Sequence, residues 1–269
     1  MVKRLTNSET QEYIDASGIE ASPLESFAYL DSADGITYDW HSHSRHQLLY
    51  AFSGTLRVEA DSGLYLLPPQ RAMWIPAGVM HRTTLNKVHS GSVFFHPELV
   101  PTTINEVRII SVAPIVREMV LFAMRWPVNR DCNDAIANSF FKTFGLLCSG
   151  WLEEEMPFRL PASQSKQIAA AMEYTLENLE SATVEEAAKA AALSPRHFRR
   201  RFAEETGIVW RQFRLHARIL RAMELLTEPH ANITNVAYSV GFNSLSAFAK
   251  SFALIARETP SAYRERVKG

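Results

Sequence analysis

The chain has 269 residues, 46% of them hydrophobic and 21% charged, with a formal net charge of −1. These proportions suit two folded domains and exclude a largely disordered chain. No apolar run reaches the ~20 residues that span a bilayer, the start MVKRLTNSETQEYIDASG lacks a signal-peptide core, and two isolated cysteines, Cys132 and Cys148, exclude a disulfide framework or a zinc module.

A reducing, cytoplasmic setting with no membrane contact is the expectation. The charge is uneven. Residues 1–160 carry 13 basic and 18 acidic residues, whereas residues 161–269 carry 15 and 11. The excess of positive charge therefore lies in the C-terminal part, where a polyanion would be met.

Residues 1–35 form a lead-in with few strong signals. From Ile36 to about Phe95 the texture is β. Short runs rich in aliphatic and aromatic residues, at 47–52, 55–60, 64–67 and 92–95, are separated by Gly54, Gly63, Pro68-Pro69, Gly78 and Gly91. Many short strands with regular turn signals predict a small barrel or sandwich.

This segment holds a histidine cluster, HSHSRHQ at 41–47 and PAGVMH at 76–81. An i, i+2 spacing puts His41 and His43 on one face of a strand, with Gln47 four residues further along that face. The pattern resembles the two cupin motifs, in which histidines and a glutamate hold a divalent metal inside a β-barrel. Here Gln47 stands in place of the glutamate. The resemblance implies that His41, His43, Gln47 and His81 either hold a borderline metal such as zinc, nickel or iron, or line a pocket without one. The expected effector pocket comprises His41, His43, Gln47, Tyr50, Arg57, Trp74 and His81, with Arg45 and Arg71 near its mouth. His46 faces the other way.

After Pro97 the periodicity becomes helical, at 111–126 and 134–153. FFKTFGLLC (140–148) reads as buried helix and Glu153-Glu154-Glu155 as a solvated helix end. MPFRLPASQS (156–165) reads as a linker. The predicted domains are then 1–100 (cupin-like, effector-binding), 101–155 (helical bridge and dimer contact), 156–165 (linker) and 166–269 (all-α).

The all-α part contains one pattern twice, offset by 50 residues. Ser194, Phe198 and Phe202 match Ser244, Phe248 and Phe252. Ala187 matches Ala237, and Phe213-Arg214 matches Tyr263-Arg264. Each copy has the anatomy of a helix-turn-helix, at about 183–207 and 233–257. In the first, Thr183 and Glu186 form a capping box, Leu193-Ser194 make the turn, Pro195 opens the second helix and Gly207 closes it. Phe198 and Phe202 face the core, and Arg196, Arg199, Arg200 and Arg201 crowd the remainder. Arginine pairs with guanine edges bidentately and also neutralises phosphate. The second copy offers Ser244, Leu245, Ser246, Ala249 and Lys250 instead. A long helix at roughly 209–227 joins the two. If it spaces them by about one DNA turn, roughly 34 Å, both can enter successive major grooves.

GFNSLSAFAKSF followed by TPSAYR, with LSPRHFRRRFAEETG upstream, resembles the AraC/XylS family of transcriptional regulators over residues 165–266. One departure is Arg257, where that family usually has glycine. The resemblance implies base-facing positions at Arg196, Arg199 and Arg200, and at Ser244, Leu245, Ser246, Ala249 and Lys250. It implies as partners double-stranded operator DNA, a small-molecule effector, a second copy of the chain as a homodimer, and RNA polymerase. The expected fold class is α+β multidomain: a cupin-like β-barrel with a helical bridge, then an all-α domain with two helix-turn-helix units joined by a long helix. The expected function is ligand-controlled, sequence-specific DNA binding without enzymatic activity. A metal-sensing regulator and a metal-dependent cupin enzyme are the alternatives. No phosphate loop, nucleophile elbow or His-Glu-x-x-His helix is present in the sequence.

Overall fold

The computed structural model describes residues 3–33, 35–110, 114–153 and 158–268. They fall into two compact units divided after residue 156. The expected helical residues 111–113, and Glu154 and Glu155, lie outside the described residues.

The first unit is a curled sheet with helices on both sides. Its strands are β1 (Lys3–Arg4), β2 (Ser26–Ala33), β3 (Ile36–His41), β4 (His46–Ala60), β5 (Gly63–Leu67), β6 (Arg71–Ile75), β7 (His81–Phe95) and β8 (Arg108–Ile110). The long strand β7 is the hub, pairing antiparallel with β2, β3 and β4. Strands β4 and β7 span 15 residues each. The two short strands expected at 47–52 and 55–60 are thus one strand. Gly54 adopts φ +73° within it, where the register against β7 shifts twice between Ala51 and Thr55. The glycine makes a bulge that bends the strand rather than ending it.

The faces follow from the pleat. Leu48, Tyr50, Trp74, Val93 and Phe95 share one face and pack on two helices, α2 (Pro114–Ala123) and α3 (Ala135–Trp151). Val116, Val120, Phe141 and Phe144 are their partners there, all buried. Asp134 caps α3 by accepting from the amides of Ile136 and Ala137. Gly145 lets α3 lie against the short turn Pro97–Leu99, because a Cβ there would sit 2.7 Å from the Leu99 carbonyl oxygen. The stretch 140–148 is helix with one buried face, carrying Phe141, Phe144 and Cys148 in the core, whereas Leu146 and Leu147, expected to be buried, are exposed on the other.

The opposite face is covered by a helix that the lead-in reading missed, α1 (Asn7–Ser17). Its signals are local. Thr6 and Glu9 form a reciprocal capping box, and Gly18 ends it at φ +71°.

The second unit is helical from Lys166 onward: α4 (Lys166–Glu177), α5 (Val184–Ala190), α6 (Pro195–Thr206), α7 (Trp210–Leu226), α8 (Ile233–Ser239), α9 (Leu245–Ala256) and α10 (Pro260–Lys268). The 50-residue repeat is real in space. Phe198 and Phe202 lie 5.5 Å apart between ring centres, and Phe202 lies 5.4 Å from Phe213. In the second copy Phe248 and Phe252 lie 5.6 Å apart, and Phe252 lies 5.5 Å from Tyr263. The fold class is the expected one, α+β with two helix-turn-helix units around a shared helix. That helix, α7, has 17 residues and so is ~25 Å long.

Candidate functional site

Two places concentrate function-bearing side chains. The first is the outer face of α6 and α9. Thr183 and Glu186 cap α5 reciprocally, Ser194 caps α6 by accepting from the His197 amide, and Gly207 closes α6 at φ +75°. With Phe198 and Phe202 turned inward, Arg196, Arg199 and Arg200 are left exposed. Arg199 lies 3.7 Å from Glu185 and Arg200 3.9 Å from Glu204, with arginine side chains 61% and 68% exposed. Exposed pairs this long are worth little and exchange readily for phosphate or base contacts.

Arg201 departs from the expected set. Three residues after Phe198, it lies beside the core stripe. Its guanidinium is held by Glu205 at 2.7 Å, by Ser165 at 3.1 Å and by Gln167. It ties α6 to the start of α4, and so belongs to the scaffold rather than to the open face. In the second unit Ser244, Leu245, Ser246 and Lys250 are exposed and Ala249 is half-buried. Ser244 also caps α9.

The turns of the two units differ by one residue. Leu193 donates its amide to Ala188 and Phe242 to Ala237, an offset of 49 against the 50 of the recognition helices. The left-handed residue is Ala192 (φ +53°) in the first turn and Gly241 (φ +88°) in the second. Glycine is required at 241 for a further reason. A Cβ there would meet the Arg218 guanidinium at 2.4 Å and the Glu180 carbonyl oxygen at 2.7 Å. From α7, Arg218 donates to the carbonyls of Leu179 (2.9 Å) and Glu180 (3.0 Å) and lies 5.8 Å from the Phe242 ring. Burial, then the nearby Arg214, push its pKa down to about 10, which leaves it cationic at neutral pH. Arg218 therefore braces the second turn against the chain entering the first unit. Arg214 and Arg264 repeat a related role: each donates to carbonyls ahead of a helix-turn-helix, Arg214 to Ala182 and Arg264 to Leu226 and Pro229. The sequence repeat contained Arg214 and Arg264 but gave no sign of Arg218.

The second place is a cavity in the first unit between α1 and the inner face of the sheet. It offers about 90 Å³ to the centres of water-sized molecules, several times the ~10–15 Å³ that one water needs. His41, His43, Gln47 and His81 line it, as expected. Cross-strand register makes His41 and His81 direct neighbours, with rings 4.2 Å apart. His43 lies past the end of β3 rather than on a strand, and its ring still reaches 5.2 Å from His81. Each ring commits Nδ1–H to a backbone carbonyl: His41 to Asp39 at 2.7 Å, His43 to Arg45 at 2.6 Å, His81 to Val79 at 2.9 Å. The tautomer is thereby set, and Nε2 keeps the lone pair. Burial lowers all three pKa values, His81 furthest. The rings are neutral. His43 Nε2 lies 3.1 Å from the Gln47 side-chain amide, whose other end meets Ser92 at 2.8 Å. Gln47 Oε1 is the atom that faces His43 Nε2, and the Gln47 side-chain N–H donates to the Ser92 hydroxyl.

Three expected pocket residues lie elsewhere. Tyr50 and Trp74 are buried on the opposite face against α2 and α3. Leu48 pairs with Trp74 and with Val93, and directly paired residues share a face. Arg57 is exposed on the outside, because the double shift near Gly54 inverts the parity and turns Leu56 inward. Arg45 is buried, donating to Ser22, Ile19 and Glu25 carbonyls. His46 accepts from the Ala77 amide and stacks on Trp74. The pocket residues that sequence reasoning missed are Tyr13 and Ile14 on α1, Tyr29 and Asp31 on β2, and Tyr38 on β3. The capping box of α1 was the available signal.

The expected metal set does not assemble. Among the described residues, no group of three or more His, Cys, Asp or Glu side chains is arranged to hold a metal ion.

Residues 23–193 match a family model described as an AraC-like ligand binding domain, and residues 187–266 one described as a helix-turn-helix domain. The HTH-type transcriptional regulator NimR of Escherichia coli (strain K12) is 27% identical over 241 residues, covering 87% of this chain and 85% of that protein. The uncharacterized HTH-type transcriptional regulator YobQ of Bacillus subtilis (strain 168) is 22% identical, covering 84% and 89%. Among solved structures, the DNA-binding domain of AdpA in complex with a target DNA is 33% identical, covering 39% of this chain and 95% of that chain, with a TM-score of 0.37. ToxT from Vibrio cholerae is 12% identical, covering 91% and 98%, with a TM-score of 0.40.

Proposed function

Since this chain belongs to the AraC family of DNA-binding transcriptional regulators with a ligand-binding domain, we propose that its recognition surface is Arg196, Arg199 and Arg200 of α6 together with Ser244, Leu245, Ser246, Ala249 and Lys250 of α9. The observation that carries this reading is the open arginine face, three guanidinium groups with no strong internal partner on a helix whose other side is core. The arginines supply guanine and phosphate contacts, and the second face supplies apolar and hydroxyl contacts plus one cation. Replacing Arg196, Arg199 and Arg200 together by alanine abolishes specific operator binding in a mobility-shift assay and leaves the circular dichroism spectrum unchanged. Unchanged binding would sink this surface.

The controlling molecule sits in the cavity lined by His41, His43, Gln47 and His81. The chain works as a homodimer in the cytoplasm, on promoter DNA and in concert with RNA polymerase, and has no catalytic role. The dimer reading is supported by the apolar outer side of α2 and α3, where Ile115, Ile136 and Leu146 are 57%, 72% and 58% exposed beside a groove lined by Met119, Phe122 and Phe140. Exposed apolar clusters of this kind mark association surfaces. An Ile136→Glu, Leu146→Glu chain sediments as a monomer. A dimer in sedimentation would move the interface elsewhere.

A further inference from the structure

The lining of the cavity is one-sided in charge and in hydrogen bonding. Among the described residues, Asp31 is its only charged side chain, and no lysine or arginine lines it. The side chains that could neutralise an anion are the three imidazoles, and burial holds them in their neutral form. His41 and His81 keep Nε2 lone pairs, so each offers the cavity an acceptor. Asp31 offers a carboxylate, and burial, the main influence on it, raises its pKa. A half-buried carboxylate without a counter-charge in the cavity lining is a ready partner for a cation.

The hydroxyl side of the cavity is incomplete too. Tyr38 is only 8% exposed, and its buried hydroxyl has no well-formed hydrogen bond, with Tyr13 the side chain nearest to supplying one. The Tyr13 ring lies 5.0 Å from that of Tyr38, and the Tyr13 and Tyr29 hydroxyls are 3.4 Å apart. Tyr38 is followed by His41 at 6.4 Å, so tyrosine and imidazole rings run on continuously. Tyrosine faces around a half-buried carboxylate are the chemistry that receives an ammonium group, through ring quadrupoles and charge-assisted hydrogen bonds. Leu49, Leu56 and Leu85 supply an apolar wall.

We infer that the effector is a small organic cation, an amine that donates N–H bonds to Asp31 and to the imidazole acceptors while its apolar part packs on the leucine wall. This rests on the reading of the cavity as the effector site. An anion would face Asp31 and have to protonate a buried imidazole. A neutral molecule would leave the Asp31 carboxylate uncompensated. The cavity size suits a compact molecule rather than a long chain.

The test uses the full-length chain and three probes of nearly one shape: phenethylamine (cationic at neutral pH), 2-phenylethanol (neutral) and phenylacetate (anionic). Calorimetric titration and thermal melts should rank the amine first, with affinity at least about tenfold above the alcohol and no response to phenylacetate. Asp31→Asn should weaken the amine about tenfold, leave the alcohol unchanged, and melt no lower than the parent when unliganded. The ranking in the parent chain stands on its own if Asp31→Asn does not fold. Phenylacetate binding as tightly as phenethylamine, failure of the amine to bind, or an amine affinity indifferent to Asp31→Asn each overturns the inference. An amine that binds by these criteria yet leaves operator affinity unchanged overturns the effector reading and not the ligand class. A phenylacetate that binds and shifts operator affinity does the reverse.

Discussion

In the first helix-turn-helix unit Phe202 packs on Phe213, and in the second Phe252 packs on Tyr263, at ring separations that differ by 0.1 Å (5.4 against 5.5 Å). Outside those cores the units part company. One shows Arg196, Arg199 and Arg200 to solvent; the other shows Leu245, Ser246 and Lys250. Their turns differ as well, with Ala192 in the left-handed conformation in the first and Gly241 in the second. Two copies of one scaffold thus keep what folding needs and diverge on the faces proposed to meet DNA. The interior repeats because ring packing tolerates little change, whereas the surface is free to vary.

The comparison can be broken at the cores first. Phe202→Ala and Phe252→Ala should each cost about 3–5 kcal/mol in urea unfolding, by similar amounts. A twofold difference would mean that only one unit is well packed. Next comes the turn. Gly241→Ala meets both the Arg218 guanidinium and a backbone carbonyl, at a positive φ, and should destabilise by about 1–3 kcal/mol. The position that matches it in the first turn, Ala192, is left-handed as well, at φ +53°, and carries a Cβ. A neutral Gly241→Ala would remove Arg218 as the brace. The smallest effects have the opposite sign. Ala192→Gly and Arg257→Gly each relieve a left-handed non-glycine residue, at φ +53° and +59°. Each should raise stability by about 0.5–1 kcal/mol. A loss at either would show that a side-chain contact outweighs the strain.

Much of this was legible in the chain. The repeat, the Thr183–Glu186 box, the Phe198/Phe202 spacing and Gly207 are local signals, and local signals survive folding. Arg257 departs from the family's glycine and still caps α9 at Ala256, in the left-handed conformation that glycine would adopt without strain. The histidines were legible because their motif lies in two short segments that register brings together. What was not legible depended on distant parts of the chain. Arg201 reads as one of four arginines until α4 offers Ser165 and Gln167. Tyr50 sits on the far side of the pleat from Gln47, which strict alternation alone would have placed. Arg57 could not be placed so, because the bulge near Gly54 resets the parity. Tyr13, Tyr29, Asp31 and Tyr38 come from three elements, one of them a helix whose capping box went unread, and only tertiary structure gathers them around the cavity.

The asymmetry between the two recognition faces is the central claim, and fluorescence anisotropy on one operator duplex at fixed salt tests it most directly. The full-length chain, the Arg196→Ala, Arg199→Ala, Arg200→Ala variant and a Ser246→Ala, Lys250→Ala variant are titrated side by side. The arginine variant should lose affinity by about a hundredfold or more, with a shallower salt dependence, and the second-unit variant by about tenfold or less. Equal losses, or a larger loss from the second unit, would contradict the account.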